Sequence, residues 1–579
     1  PGGDRIAMYY DASGRNELCV LDVETGEVTQ VSSGEVPRNA RWFIRWDADG
    51  EGVYFHVDDA GNEQNDIHRL GTDGTHDPVV ELSGQTLLAD VSDDGEHLLL
   101  GSTRGGQFNV YRHDVAAGET VQVTEYDRAA GPGQFSPDGS MISYTTNESD
   151  DFNNQDVYVA GVDGSGARNL EIGDTGAEAS FADWHPDCDR LLVGDNTDDL
   201  TRCGVYSIET DSVEWYGDSE VEESPVAFVD EDRFVAQRTR RAATVPVVYD
   251  LATGESRELD LPEGVASVPA VGEPVLSDGR VILGHSTPTR RSELIAYDLD
   301  SDEYEMLMAA DYGDIDPDVF VDGEYFEFRS DGVPETPARA VEHDPYEPLD
   351  IEGIFYDSGE RPSPLIVKIH GGPPAQDQRS FDLYTQFLAT RGYSVLQVNY
   401  RGSTGRGVEF KRALYDDWGG AEQGDIATGV EHTLESRDFL DEDRVAVFGG
   451  SYGGYSAYWQ MVQYPDLYDA GIAWIGLTDL VGMFETTMPH FRTELMEKNL
   501  GTPEDNPDLY ELRSPITHVD NVGAPLCMIH GVNDRRVPIS QARRFRDALL
   551  EHGYEEGSDG DFEYEELGEE GHGSTDQEQ

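Results

Sequence analysis

The chain has 579 residues, too many for one hydrophobic core, so two or more domains are expected. Acidic residues number 117 against 40 basic ones, and a net charge of -77 argues against nucleic acid and anionic membrane surfaces as partners, because both attract the opposite sign. Aromatic residues make up 10% and strand-like runs recur, so the acidity reads as the solvated skin of a folded protein rather than as disorder.

The four cysteines, Cys19, Cys188, Cys203 and Cys527, show no zinc spacing and are expected to be structural thiols, with Cys188 and Cys203 as the one pair to test for a bridge. No metal or cofactor is expected. No signal peptide or apolar membrane-length run is read, which points to a cytoplasmic location. The sequence begins at Pro1 without methionine, so a trimmed upstream segment is expected.

From Asp4 to about Met308 one unit recurs. An acidic or glycine turn precedes an apolar strand in RWDADGEGVYFHV at Arg45, VSDDGEHLLLG at Val91, FSPDGSMISY at Phe135, WHPDCDRLLVG at Trp184, FVDEDRFVAQ at Phe228 and LSDGRVILG at Leu276. A period of about 45 residues with four short strands per unit is the signature of a β-propeller blade. With the opening unit RIAMYYD, NELCVLD and VTQVS, which lacks one strand, the count is seven blades. The adjacent acids Glu222 and Glu223 are one candidate clamp for a free amino terminus.

After a linking segment from Val319 to about Pro364 that carries the strand-like runs YFEFRS and DIEGIFYD, strands alternate with helices. LIVKI ends at His370-Gly371-Gly372-Pro373, a helical FDLYTQFLATRG follows, and the strand SVLQVNY runs into RGSTGRG. Further strands are AGIAWI, PLCMIHG and FEYEEL. This alternation predicts a mostly parallel α/β sheet with its ligands at the carboxyl ends of the strands. The expected organisation is therefore a seven-bladed propeller over residues 1–315 and an α/β-hydrolase domain over 316–579.

Within that second half, RVAVFGGSYGGY (Arg444 to Tyr455) carries G-x-S-x-G between a β-branched run and a helix-like segment. A nucleophile held on so tight a turn needs glycines beside it, since a Cβ there meets the neighbouring strand and helix. Ser451 is the candidate nucleophile. A serine hydroxyl needs an imidazole to take its proton, and a carboxylate to hold that imidazole in one tautomer. In chain order Ser, Asp, His, the loops after PLCMIHG and FEYEEL supply Asp534 and His572. Backbone N–H groups of Tyr452 and of the His370–Pro373 turn are candidate oxyanion donors.

HGGP, NYRGSTG, GGSYGGY, SPITHVD, HGVNDRRVP and GHG, in this order behind a propeller, resemble the prolyl oligopeptidase family of serine peptidases, with the acylaminoacyl-peptidase branch nearest. The resemblance implies a Ser451, Asp534, His572 triad, oxyanion donors at Gly372 and Tyr452, and a substrate carbonyl held by Arg536. It also implies a closing helix after the histidine, where this sequence has only Gly573 to Gln579, so activity is expected to depend on a further tail. Met483, Phe484 and Phe491 are candidates for an apolar specificity pocket. The expected activity is hydrolysis of short peptides, N-acylated ones first, with dipeptidyl peptidase, prolyl oligopeptidase and carboxylesterase specificities as alternatives. A homo-oligomer is compatible with the sequence.

The composition is similar to that of halophilic archaeal proteins. Lys368, Lys411 and Lys498 are the only lysines, all other cations being arginine, and concentrated salt screens the repulsion among so many carboxylates.

Overall fold

A computed structural model describes residues 2–573 except 39, 218–219, 270–271 and 343. The six residues after Gly573 lie outside the described part. Seven antiparallel sheets succeed one another from Arg5 to Met308. The first has three strands, Arg5–Tyr10, Glu17–Asp22 and Val28–Gln30, and the other six have four each, in sequence order. This is the seven-bladed propeller, with the incomplete opening blade that the strand count predicts.

The repeat carries its own fastening. Asp90 accepts the backbone N–H of Phe135 in the next blade at 2.9 Å, and Asp183 accepts that of Phe228 at 2.9 Å, each pair 45 residues apart. Each blade also buries its own apolar faces against its neighbours, as Leu191 and Val193 do with Val157 and Val159. The four cysteines are free thiols.

The second half holds one eight-stranded sheet. Its strands are β1 (Gly323–Ser330), β2 (Leu349–Tyr356), β3 (Ser363–Ile369), β4 (Ser394–Asn399), β5 (Leu440–Gly450), β6 (Ala470–Trp474), β7 (Leu526–Gly531) and β8 (Phe562–Leu567). Their order is β1-β2-β4-β3-β5-β6-β7-β8. From β4 to β8 the neighbours are parallel, whereas β1 and β2 add an antiparallel edge. The strand-like runs YFEFRS and DIEGIFYD of the linking segment are β1 and β2 of this sheet. β4 is buried along its whole length, as a parallel strand covered by helices requires, while β3 and the second half of β5 alternate buried and half-buried residues. The main core lies here, around Val367, Leu396, Val447, Trp459 and Phe545.

Two of the three lysines join the halves. Glu178 of the propeller pairs with Lys411, on the helix Gly407–Arg412, and with Lys498 at 2.7 Å. Asp199 accepts the N–H of Glu409 at 2.7 Å in the first turn of the same helix. Burial works to raise the Glu178 carboxyl, but the two ammonium groups overrule it and hold it down at about 2. A carboxyl depressed in the folded state stabilises above its ordinary value near 4.5 and loses that contribution as pH falls toward 2. Glu178→Gln leaves both ammonium groups facing a neutral amide. Thermal denaturation at pH 7 should show a loss of about 3 kcal/mol, and the gap from wild type should narrow as the pH is lowered below 4.5.

Candidate active site

β5 delivers the chain directly into Ser451, whose φ of 60° and ψ of -121° lie outside the regions that L-residues favour. The helix Tyr452–Gln463 starts at the next residue, and the Ser451 N–H is fixed by the Trp474 carbonyl at 3.0 Å. Glycine beside the serine is a steric demand: a Cβ on Gly453 would lie 2.1 Å from the Ile369 carbonyl oxygen. Strand, turn and helix thus close on each other with no room for a side chain.

The loops after β7 and β8 bring Asp534 and His572 to this turn. His572 Nδ1 lies 2.7 Å from Asp534 Oδ2, and Nε2 lies 3.0 Å from Ser451 Oγ. Asp534 Oδ1 accepts the backbone N–H groups of Arg536 and Val537, each at 2.9 Å. The carboxylate is fixed on one side and has its other oxygen free for the imidazole. His530, wholly buried beneath it, has its imidazole pushed below the usual histidine range by burial and bonds the Val537 carbonyl at 2.7 Å.

On the other side stands the His370–Pro373 turn. His370 stacks on Tyr400 with centroids 4.4 Å apart and bonds Ser403 Oγ at 3.0 Å, which anchors the turn. Gly371 approaches the serine so closely that a Cβ there would lie 3.2 Å from Ser451 Cβ. Gly372 follows with a φ of 119°. The Tyr452 side chain is buried below, and its phenol donates to Glu422 Oε1 at 3.0 Å. Burial, assisted by Asp417, pushes the Glu422 carboxyl up to about 7.

The propeller contributes the far wall. Arg536 Nε donates to Glu63 Oε1 at 2.8 Å, and Arg41 binds the same oxygen. Glu63 is 1% exposed. Arg41 also donates to the His572 carbonyl at 3.0 Å, and Asn533 donates to the Ala60 carbonyl at 3.1 Å. The Arg536 guanidinium lies over Trp42 and Phe491, 5.8 and 5.6 Å from their ring centroids. None of Arg41, Trp42 or Glu63 was singled out in the sequence, because nothing local marks them; only the domain contact does.

The remaining candidates separate. Phe491 joins Arg536 at the site, Phe484 packs its edge on Tyr510, and Met483 sits in the main core at 3% exposure. In the propeller Glu223 is buried and bound by Arg238 at 2.7 Å and by Tyr249, while Glu222 bonds Thr201. A cavity of about 1990 Å³ runs past Arg45, Asp90 and Asp183 of the propeller to Phe381 and Phe387 of the second half, and is not lined by Ser451, Asp534 or His572. Among the described residues, no cluster of three or more His, Cys, Asp or Glu side chains is placed to hold a metal, and no helix is long and apolar enough to cross a membrane.

Residues 379–579 match the model of the prolyl oligopeptidase family. That segment is similar to this family. The chain is 34% identical over 194 residues to dipeptidyl aminopeptidase BIII of Pseudoxanthomonas mexicana, covering 33% of this chain and 28% of the relative. It is likewise 34% identical over 217 residues to the acylamino-acid-releasing enzyme of Mus musculus, covering 35% of this chain and 29% of that enzyme. The matched segment thus spans less than a third of either relative. Over the whole chain the fold is similar to a puromycin hydrolase crystal structure, with a TM-score of 0.83 at 20% identity, covering 100% of this chain and 91% of the other.

Proposed function

We propose that this prolyl oligopeptidase family chain is a serine peptidase that hydrolyses short peptides through an acyl-enzyme and favours substrates with a blocked amino terminus. The unbroken line from Ser451 Oγ through His572 to Asp534 carries the reading. With Nδ1–H donated to Asp534, His572 Nε2 is the acceptor that takes the serine proton as Oγ bonds the peptide carbonyl carbon. The carbonyl oxygen becomes an oxyanion facing the N–H groups of Gly372 and Tyr452, each worth about 3 kcal/mol in the transition state. The imidazolium then gives its proton to the leaving amine as the C–N bond breaks, and water repeats the sequence on the ester. Arg536, whose guanidinium carries several donors, holds a substrate carbonyl.

The preference for a blocked terminus rests on what the nearby acid is already doing. A free ammonium needs an uncommitted carboxylate, and Glu63, the acid that meets Arg536 at the site, already serves two guanidinium groups. The acidic skin and the commitment of every lysine to an ion pair further support a protein of concentrated salt, as in a halophilic archaeal cytoplasm.

Turnover of one dipeptide p-nitroanilide, with and without an N-acetyl group, in concentrated KCl tests this reading. Faster turnover of the acetylated form is expected, with activity falling as KCl is withdrawn. Faster turnover of the free amine would replace it with a dipeptidyl peptidase, and turnover of p-nitrophenyl esters alone with a carboxylesterase. Labelling by a fluorophosphonate probe is expected in every case, and its absence would overturn the serine hydrolase.

A further inference from the structure

Glu422 is wholly buried, lies outside the hydrogen-bonded line of Ser451, His572 and Asp534, and yet is tied to the nucleophile's neighbour. It sits in the first turn of the helix Ala421–Ser436, whose start packs under the nucleophile turn. Four donors converge on its carboxylate: the N–H groups of Gly419 and Gly420 at 2.5 and 2.9 Å, Gln423 Nε2 at 2.9 Å and the Tyr452 phenol at 3.0 Å. Such a set of donors calls for the two acceptor oxygens of a carboxyl group. The cage is itself braced, since Arg513 bonds the Gly419 carbonyl at 2.9 Å and Asp417 at 2.5 Å.

Tyr452 has little freedom except through this bond. Its ring lies against Trp418 at 5.1 Å, Tyr455 at 5.1 Å and Tyr400 at 6.2 Å between centroids. These contacts fix the ring's plane, whereas the hydrogen bond fixes how far the ring reaches and so where the backbone of residue 452 stands. That backbone follows a serine in a strained conformation, which persists only where the surroundings over-determine it.

We propose that Glu422 is a positioning residue: through the Tyr452 phenol it sets the backbone N–H that meets the oxyanion. This rests on the serine peptidase reading above. A displaced donor weakens the transition state more than the bound substrate, so the effect belongs to kcat.

The test uses the full chain and an activated ester. Tyr452→Phe removes a single oxygen and should lower kcat about tenfold with KM within about twofold, since small misplacements at a reacting centre cost rate rather than affinity. Glu422→Ala should lower kcat at least as much, and Glu422→Gln, which keeps an acceptor for the phenol, should recover part of the loss. The double variant Tyr452→Phe with Glu422→Ala should be no slower than Glu422→Ala alone, because both remove one bond. A Tyr452→Phe enzyme that melts like wild type and keeps kcat within twofold would overturn the proposal, as would a double variant whose losses multiply. Fluorophosphonate labelling of wild type separates this failure from that of the peptidase reading, since an unlabelled wild type overturns the reading itself and the proposal with it.

Discussion

Ser451→Ala should abolish turnover, lowering kcat about a million-fold, and abolish fluorophosphonate labelling with it. The loss is large because the nucleophile and base act as one unit: without Oγ, His572 Nε2 has no proton to take from the enzyme, and only water remains as attacker. A residual rate of roughly a thousandfold over the uncatalysed reaction should survive from the oxyanion donors and binding. The fold should be untouched. Ser451 spends its backbone, rather than its hydroxyl, on holding the turn, through the N–H bonded to Trp474. Circular dichroism and melting temperature should therefore match wild type, and a Ser451→Ala variant that turned over peptides within a hundredfold of wild type would remove the serine from the mechanism.

Asp534→Asn should lower kcat about ten-thousandfold with KM little changed. The reason lies in the other half of the carboxylate. Oδ1 accepts two backbone N–H groups, so an asparagine must keep its oxygen there and turn its NH₂ toward His572. Nδ1 then faces a donor and must give up its own proton, which moves to Nε2 and meets Ser451 Oγ at the wrong atom. The imidazole is held in position in the inactive tautomer. Single-turnover measurement of acylation should show the whole loss in the chemical step, and an Asp534→Asn enzyme within tenfold of wild type would remove the aspartate from the line.

The parts of this architecture legible in the sequence are those written in local pattern. The blade period shows in a fastening repeated at the same separation, Asp90 to Phe135 and Asp183 to Phe228. The nucleophile turn appears because the close packing of Gly453 on Ile369 forbids a side chain. Asp534 and His572 were accessible through chain order, and the structure places both within hydrogen-bonding reach of one line. By contrast, Glu63 meets Arg536 across 473 residues, and no periodicity or motif encodes how a propeller faces its partner. The edge strands β1 and β2 were legible as the strand-like runs YFEFRS and DIEGIFYD, but not their place in the sheet, because they pair antiparallel outside the alternating strand and helix pattern. Met483 and Phe491 are equally apolar in the sequence, and only burial separates the core residue from the one beside Arg536.

The scarcity of lysine gives the interface a chemical signature. Lys411 and Lys498 have side chains only 22% and 16% exposed, both held by Glu178 at the seam between the halves, and Lys368 is tied to Asp377 and Asp382 at 12%. Reagents that acylate amines therefore find these nitrogens occupied while the halves are docked. Separation of the propeller from the catalytic half would uncover two of them at once, so the rate of amine acylation at Lys411 and Lys498, read by mass spectrometry, becomes a clock for how often the molecule opens.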